Sequence, residues 1–474
     1  MERFDVVVVG ARMAGCATAA PLLRDGRRVL LLDRMAFPSD QLSTHVLMPA
    51  GTAELAAMGA LERVLGLRPT RVRHVRVEVD GTVCRERVRP DRGIDYGVCV
   101  PRDLLDGELI ASVREQGAVV RERCSLEGLV WRGGRVCGVR YRDAEGEEDE
   151  VTCTLLVGAD GRRSTVSALV GAWRPYRSSR NGRGLVFRYM DDPLAGSEDA
   201  ATYIQWREGD SIAFAFPTTP EGRLLILMMG DRSEVGIARR DPEGYWLGKL
   251  EQHPGARRRT AGATGAGKLR STGETPAFFR ASSGPGWVLV GDAGHFKDPV
   301  TGQGMRDAMF AGRTLGEALL GRLEDPGAVD RATRVWEFER DLECLPAYHF
   351  ANADTRVRRQ PPALRELLRE AGRNEEPDIT DLFGRARTPQ QIASLPRIGR
   401  AFVRALAGAR GERLGTLGEG LGDLLTELRV RSELRSRRFR SRVAVRGSEH
   451  PGVRWPAPPA TTSFSEPARE TIAV

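Results

Sequence analysis

The chain has 474 residues, 41% of them hydrophobic and 29% charged, which is enough apolar content for a large core and excludes global disorder. The net charge is +8, but the arginines are spread along the whole chain and aromatic residues make up only 6%, so we expect no nucleic-acid partner. No apolar run approaches the length of a membrane span, and no secretory signal precedes the first predicted strand, so the sequence indicates a cytoplasmic protein without a membrane span.

The seven cysteines and six histidines show no metal-binding spacing. The cysteines are scattered and contain no CxxC pair, as is typical of reduced thiols. The histidines contain no HExxH pair. We therefore predict that the protein has no metal site.

The first forty residues predict a nucleotide-binding βαβ unit. The apolar run Phe4–Val9 is typical of a strand buried on both faces, and Arg28–Leu32 is the next predicted strand. Between them, Gly10 allows a tight turn, and Gly15 lets the following helix pack close to the sheet. The amino terminus of this helix is then placed to meet a diphosphate.

An acidic residue ends the second strand of this unit. Asp33 lies about 20 residues after the glycines, where a carboxylate accepts hydrogen bonds from ribose hydroxyls, as in FAD or NAD. We assign Asp33 and its neighbour Arg34 to the predicted nucleotide site. The middle glycine of the usual GxGxxG pattern is Arg12, and the alternative is an ordinary βαβ unit in which Gly10 is only a turn.

The pattern then changes to period 2 and predicts a second sheet of mixed or antiparallel strands. The predicted strands are Arg71–Asp80, followed by a hairpin turn, and Gly184–Met190, Thr202–Arg207, Ser211–Phe216 and Arg223–Met229. One face of this sheet carries Phe214, Phe216, Leu225, Leu227 and Met229. These side chains either line a pocket or form plain core.

Two further glycine–aspartate motifs each follow a predicted strand. They are Asp160-Gly161, after the strand at 155–157, and Gly291-Asp292, after the strand at 287–290. The second motif is followed by a loop with Pro299, Gly302 and Gly304. A predicted helix then runs from Met305 through about Leu323.

The carboxyl-terminal part predicts helices from about Trp336 to Val445, with polar and arginine-rich faces. Arg429–Arg446 has many arginines and few acids. It is either a solvated helix face or a docking surface for an acidic carrier protein or a phosphate-bearing substrate. From Gly447 onward, proline, serine and threonine predict a disordered tail.

In this order and spacing, the three glycine motifs resemble those of the FAD-dependent monooxygenases with the para-hydroxybenzoate hydroxylase fold, especially the branch shared with geranylgeranyl reductases and flavin-dependent halogenases. The resemblance covers about residues 3–340. It implies an α/β fold: a Rossmann-like FAD-binding domain with an inserted β-sheet substrate domain and a C-terminal helical region. The expected ranges are 1–180 and 281–340 for the FAD-binding domain, 181–280 for the substrate domain with 70–90 joining its sheet, 341–446 for the helical region and 447–474 for the tail.

The resemblance also implies a role for each motif. Gly10 and Gly15 bind the ADP half of FAD, Asp160-Gly161 shapes the diphosphate region, and Gly291-Asp292 binds the ribityl chain. Arg102, which opens a predicted helix, contacts the FAD in the family. The loop that contains Pro299, Gly302 and Gly304, with Met305, passes close to the flavin ring, and the free N–H groups of the next helix stabilise negative charge on it.

Three side chains are candidates for acid–base work or flavin bonding. His45 lies in the loop after the second strand, and His295 and Lys297 follow Gly291-Asp292. The alternative is that they only hold loops in place. The family's difficult chemistry belongs to the cofactor, so the sequence demands no single catalytic residue.

The implied function is that of an FAD-dependent monooxygenase, which uses NADPH or NADH and oxygen, through a flavin hydroperoxide, to hydroxylate a small organic molecule. Aromatic compounds and secondary metabolites are candidate substrates. One alternative is a flavin-dependent reductase of a C=C bond, as in geranylgeranyl reductases. Another is a flavin-binding partner without turnover. The WxWxIP signature of halogenases is missing from the sequence.

Overall fold

The computed structural model describes residues 1–40, 43, 45–180, 182–273, 275–374, 376–409, 413–436 and 457–458. The predicted tail lies outside the described residues except for 457–458. So does the part of Arg429–Arg446 beyond residue 436.

The strands are β1 (Glu2–Val9), β2 (Val29–Leu32), β3 (Val46–Leu47), β4 (His74–Val79), β5 (Thr82–Arg87), β6 (Val98–Cys99), β7 (Val119–Arg121), β8 (Ser125–Arg132), β9 (Arg135–Arg142), β10 (Glu148–Gly158), β11 (Arg177–Ser179), β12 (Arg183–Asp191), β13 (Thr202–Glu208), β14 (Ser211–Thr218), β15 (Arg223–Asp231), β16 (Arg270–Thr272), β17 (Ala277–Phe279), β18 (Ser283–Gly284), β19 (Trp287–Leu289) and β20 (His295–Phe296).

The helices are α1 (Met13–Arg24), α2 (Pro49–Ala57), α3 (Leu61–Gly66), α4 (Arg102–Glu115), α5 (Thr165–Leu169), α6 (Glu234–Arg240), α7 (Pro242–Gln252), α8 (Pro254–Arg259), α9 (Gly304–Leu319), α10 (Pro326–Asp354), α11 (Pro362–Ala371), α12 (Asp378–Gly384), α13 (Pro389–Ile392), α14 (Leu395–Gly408) and α15 (Arg413–Ser436). Short 3-10 helices span Glu198–Ala201, Gly291–Ala293 and Pro299–Thr301.

A parallel sheet forms the first layer, with the strand order β7-β2-β1-β10-β19. Its valine and leucine runs are buried on both faces, as a parallel sheet covered on both sides requires. The hairpin β8–β9 and the short strand β18 extend it in antiparallel pairing. The carboxyl ends of β1, β10 and β19 lie side by side, and each of the three glycine motifs follows one of these ends.

A mixed seven-stranded sheet forms the second layer, with the order β16-β12-β15-β14-β13-β4-β5. Its strands pair antiparallel except for β13 and β4, which run parallel. The segment 74–87 therefore joins the sheet formed by residues 183–231. The prediction of an α/β fold with an inserted sheet is confirmed.

Helices cover the parallel sheet. A Cβ at Gly312 of α9 would lie 2.5 Å from the carbonyl oxygen of Ala14, so glycine is what allows α9 to approach α1 this closely. Helix α9 ends at Leu319 rather than near Leu323, because Leu320 leaves the helical conformation and Gly321 is left-handed, with φ of 69°. Helix α10 is continuous through the expected boundary at 340/341.

Within the described residues, every helix is either too short or too polar to cross a membrane. The same residues contain no cluster of three or more His, Cys, Asp or Glu side chains placed to hold a metal ion.

Candidate functional site

The three glycine motifs meet at one edge of the parallel sheet. Gly10 has φ of 103°, and a Cβ there would lie 2.4 Å from the carbonyl oxygen of Ala159, beside Asp160. A Cβ at Gly291, with φ of 59°, would lie 2.8 Å from the Cβ of Ala14 on α1. Segments about 150 and 280 residues apart along the chain are thus in van der Waals contact through positions that exclude a side chain.

Asp33 holds the turn between β1 and α1. One carboxylate oxygen accepts a hydrogen bond of 2.9 Å from the Ala11 amide, and the other accepts one of 2.9 Å from the Met35 amide. A carboxylate has about four acceptor positions, so Asp33 can still accept from two hydroxyls. The side chain of Arg34 is exposed beside it.

The arginine that replaces the middle glycine has a buried partner. Arg12 forms an ion pair with Asp106 of α4, and its other nitrogen donates to the Ser39 hydroxyl at 2.7 Å. The guanidinium of Arg102 also donates two hydrogen bonds to the Asp106 carboxylate, of 3.0 and 2.9 Å. Asp106 has no exposed surface. The sequence analysis did not identify Asp106 as a site residue. The one sequence feature that points to it is its i,i+4 spacing from Arg102.

Asp160 forms a hydrogen bond with the start of a short helix, α5. Its carboxylate accepts a hydrogen bond of 3.1 Å from the Val166 amide at the start of α5, and burial raises its pKa. The second carboxylate oxygen is buried and has no hydrogen-bond partner among the described residues. Gly161 follows with φ of 78°, and a Cβ there would meet nothing within 4 Å. This turn therefore borders open space beside the Gly10 turn.

Asp292 lies on the 3-10 helix that follows β19. Burial raises the pKa of its carboxyl, and the positive charges of Arg162, Arg102 and Lys297 oppose that shift. Asp292 is therefore within electrostatic reach of Arg102, although the two residues belong to distant segments.

The loop before α9 is held by its own turn. Gly302 ends the 3-10 helix in a left-handed conformation with φ of 65°, and Pro299 begins it. Helix α9 begins at Gly304, with no side chain capping its first amides, and a Cβ at Gly304 would meet nothing within 4 Å. Met305 is buried in the core behind it. The first N–H groups of α9 are thus available to an acceptor.

His45 is fully buried and left-handed, with φ of 61°. Its ring stacks on Tyr189 at 5.9 Å, and neither ring nitrogen has a hydrogen-bond partner in the part of the chain that the structure describes. Burial, with Arg102 nearby, lowers its pKa to about 3, so the imidazole is neutral at physiological pH. A buried ring with two unsatisfied nitrogens beside Arg102 fits a position that contacts a bound group.

His295 and Lys297 have protein partners. His295 stacks on Phe279 at 4.0 Å and bonds through Nδ1 to the Phe278 carbonyl oxygen at 2.9 Å. Lys297 forms a buried ion pair with Asp307 of α9. Both contacts hold β20 and the following loop in place. Catalytic roles for these two residues stay predictions.

A small cavity, with room for about one water molecule, separates the seven-stranded sheet from the loop before α9. Its lining comes from six segments and consists of Val46, Met48, Tyr203, Phe214, Phe216, Leu227, Pro299, Val300, Thr301, Gly302 and Phe383. Tyr203 packs against Phe216 at 5.0 Å and edge-on against Phe383 at 5.8 Å. Of the five side chains on the predicted sheet face, Phe214, Phe216 and Leu227 line this cavity, whereas Leu225 and Met229 lie in the core beside it.

These features fit the FAD that the sequence predicts. The uncapped start of α1 and the Gly10 turn leave room and N–H groups for a diphosphate, and Asp33 has acceptor capacity for a ribose. Asp292 and His45 are both within electrostatic reach of Arg102. The assignment of each residue to a part of FAD stays a prediction.

Curated relatives of the chain are reductases and monooxygenases. The menaquinone reductase of Mycolicibacterium smegmatis is 27% identical over 337 residues, 67% of this chain and 76% of the relative. The digeranylgeranylglycerophospholipid reductase of Methanocella arvoryzae is 27% identical over 331 residues, covering 67% and 78%. Squalene monooxygenase SE2 of Panax ginseng is 26% identical over 317 residues, covering 64% and 56%.

Solved structures share the fold. The myxobacterial chondrochloren halogenase, which is FAD-dependent, superposes with a TM-score of 0.68 at 22% identity, covering 86% of this chain and 90% of the halogenase. A geranylgeranyl bacteriochlorophyll reductase-like protein of Thermoplasma acidophilum superposes with a TM-score of 0.65 at 17% identity, covering 84% and 100%. The resemblance stated from the motifs is confirmed.

A family model described as an FAD binding domain matches residues 3–258. This range includes the Gly10 and Asp160-Gly161 motifs and most of the second sheet, while Gly291-Asp292 lies beyond it. The match covers more than half of the 474 residues. The chain belongs to the FAD binding domain family, and FAD is its cofactor.

Proposed function

We propose that this FAD-dependent oxidoreductase is a monooxygenase that hydroxylates an apolar small molecule, with NADH or NADPH as the reductant. The observation that carries the proposal is the chemistry of the cavity between the second sheet and the loop before α9. Bound FAD supplies the redox chemistry that passes electrons from the nicotinamide to oxygen.

The lining of the cavity indicates what it accepts. Tyr203, Phe214 and Phe216 present aromatic faces, and Leu227 and Val46 present aliphatic ones. Such walls favour an apolar, ring-bearing or isoprenoid-like substrate, and the cavity must widen to admit it.

The composition of the same lining favours oxygenation of the substrate over its reduction. Reduction of a C=C bond requires a proton delivered to carbon, whereas hydroxylation of an electron-rich substrate does not. The described lining holds no His, Lys, Cys, Asp or Glu, and burial raises the pKa of its one phenol, Tyr203. The side chains around the substrate therefore suit oxygen transfer.

A C=C reductase is the second candidate. The curated relatives that favour it are the menaquinone reductase and the digeranylgeranylglycerophospholipid reductase, each aligned over 67% of the chain. In that case the proton comes from outside the lining. A cytoplasmic location stays a prediction from the scattered cysteines of the sequence.

Product mass distinguishes the two reactions. Holoenzyme is incubated with NADH or NADPH and a panel of aromatic and polyprenyl compounds under labelled oxygen, ¹⁸O₂. Monooxygenation adds one labelled oxygen atom to the substrate, with oxygen uptake that matches product. A product that gains two hydrogen atoms instead, and that also forms when oxygen is absent, would show that the enzyme is a reductase and not a monooxygenase.

Two leucines on β15 provide a matched test of the cavity. Leu227 lines it and Leu225, two residues away on the same face, does not. We expect Leu227→Ala to raise KM and to uncouple NAD(P)H oxidation from product, and Leu225→Ala to lower stability with KM unchanged. Equal changes in KM in the two variants would show that the cavity does not bind the substrate.

A further inference from the structure

The last described helix, α15, carries an exposed row of leucines. Leu414, Leu417, Leu421, Leu425 and Leu428 are 85%, 44%, 58%, 46% and 41% exposed. They follow one another at spacings of three, four, four and three residues. At about 100° per residue, all five fall within an arc of about 80°. We call these five side chains the leucine arc.

The opposite side of α15 fixes this orientation. Asp423 pairs with Arg358 at 2.9 Å, and Glu433 accepts from His349 at 2.8 Å and pairs with Arg177. Two acids of the helix therefore pair with bases of the body, and all four of its acids (Glu419, Asp423, Glu427 and Glu433) lie about 120° or more from the centre of the arc. Because these contacts attach one side of α15 to the body of the protein, the leucine arc on the other side points outward.

Basic residues flank the arc and continue beyond it. Arg429 and Arg435 are exposed and lie within about 80° of the centre of the arc by the same helical rotation. From 429 to 446 the sequence has eight arginines and one acid, Glu433, which is already paired with the body. An apolar row bordered by arginine is the pattern of a helix that lies in the plane of a lipid–water interface.

We propose that α15 docks on an anionic lipid surface, with the leucine arc among the acyl chains and the arginines at the headgroups. Charge complementarity selects this occupant. In a symmetric dimer that pairs two leucine arcs, arginines would face arginines, because the acids of α15 lie about 120° or more from the centre of the arc. Anionic headgroups attract the arginines that border the leucine arc, and this attraction adds to the burial of leucine.

The proposal concerns binding and does not depend on which reaction the enzyme performs. Full-length holoprotein is floated with vesicles of phosphatidylglycerol and phosphatidylcholine in equal parts, and with vesicles of phosphatidylcholine alone. We expect recruitment to the anionic vesicles, weak recruitment to the neutral ones, and loss of binding as salt screens the arginines.

A double variant tests the arc. Leu417→Gln with Leu421→Gln keeps good helix formers on the surface, and we expect it to weaken partitioning about tenfold or more. The matched control is Ile237→Gln with Leu247→Gln, which removes two exposed apolar side chains elsewhere, 48% and 61% exposed, and is expected to bind like wild type. Unchanged FAD content and Tm show that both variants are folded.

Three results would overturn the proposal. They are equal binding to neutral and anionic vesicles, vesicle binding unchanged in the arc variant, and no vesicle binding at all. Light scattering on the same samples adds a fourth: a dimer that the arc variant converts to monomer would assign the leucine arc to a second copy instead.

Discussion

Asp292 and Asp298 lie six residues apart, yet their surroundings give them different tasks. Asp292 is in the field of three cations and accepts no hydrogen bond from the described residues. Asp298 is fully buried and accepts from the Val300 amide at 2.8 Å and from the Thr355 hydroxyl at 2.7 Å. The first is therefore placed to receive a ligand hydroxyl, and the second holds the loop before α9.

For Asp292→Ala, we expect FAD to bind about ten- to a hundredfold more weakly, since a charge-assisted hydrogen bond is worth about 1.5–3 kcal/mol. Fluorescence titration of apoprotein with FAD measures the change. The control is Asp199→Ala, which removes an exposed acid from another 3-10 helix. Full retention of yellow colour and affinity in Asp292→Ala would reject the ribityl assignment.

Asp298 makes stability depend on pH. Burial raises its pKa from the ordinary 3.8 to about 7. The folded state thus keeps a proton that the unfolded state releases, so this contribution to stability is full below about pH 4 and is lost as the pH rises through 7. Between about pH 5 and pH 8 we expect wild type to lose about 2 kcal/mol relative to Asp298→Asn, by urea unfolding. Parallel pH profiles for the two proteins would contradict this.

At the scale of elements, the carboxyl end of α10 ties the two halves of the cavity together. Asp354 forms two bonds, of 2.5 and 2.6 Å, with the buried Arg207 of β13. The next residue, Thr355, donates to Asp298 in the loop before α9. One helix end therefore sets the position of both the second sheet and the loop.

Removal of the Asp354 carboxylate leaves the buried guanidinium of Arg207 without its ionic partner. We expect Asp354→Ala to lower the free energy of unfolding by about 3 kcal/mol. Asp423→Ala is the control, because its pair with Arg358 is about one-third exposed on each side and contributes less than about 1 kcal/mol. Denaturant unfolding of both variants measures the difference. Equal losses in the free energy of unfolding would show that the buried pair stabilises the protein no more than the exposed one.

At the scale of the whole molecule, the predicted FAD site joins segments that are distant along the chain. The turns at Gly10, Asp160 and Asp292 belong to different strands, and Arg102 opens a helix between the first two. A ligand that binds only where these segments meet binds the folded state alone, and it therefore stabilises that state by mass action.

We expect apoprotein to gain about 4 kcal/mol of stability at an FAD concentration a thousandfold above Kd, seen as a rise in Tm. Riboflavin, which lacks the adenosine diphosphate half, is the control and should raise Tm less. Folded protein that is colourless and whose Tm does not respond to FAD would refute the cofactor site as a whole.

By itself, the sequence determined the features that depend on nearby residues. The strand, glycine turn and helix around Gly10 lie within about 30 residues, and the alternation in 202–229 is set by the period of a strand. Both were predicted with the correct type, and boundaries such as Phe4–Val9 moved by two residues to Glu2–Val9. The place of Asp33 at the end of β2 is also local, and its contact with FAD stays a prediction.

Only the tertiary structure decided which distant residues meet. Asp106 lies 94 residues from Arg12, and Asp354 lies 147 from Arg207, and no local pattern pairs them. The cavity joins Val46, Tyr203 and Phe383, and the leucine arc of α15 is exposed although its spacing equally suits a buried seam. The physical reason is that hydrophobic burial is non-directional and ion pairs form wherever folding places opposite charges, so the packing of whole layers, not the local sequence, selects the partners.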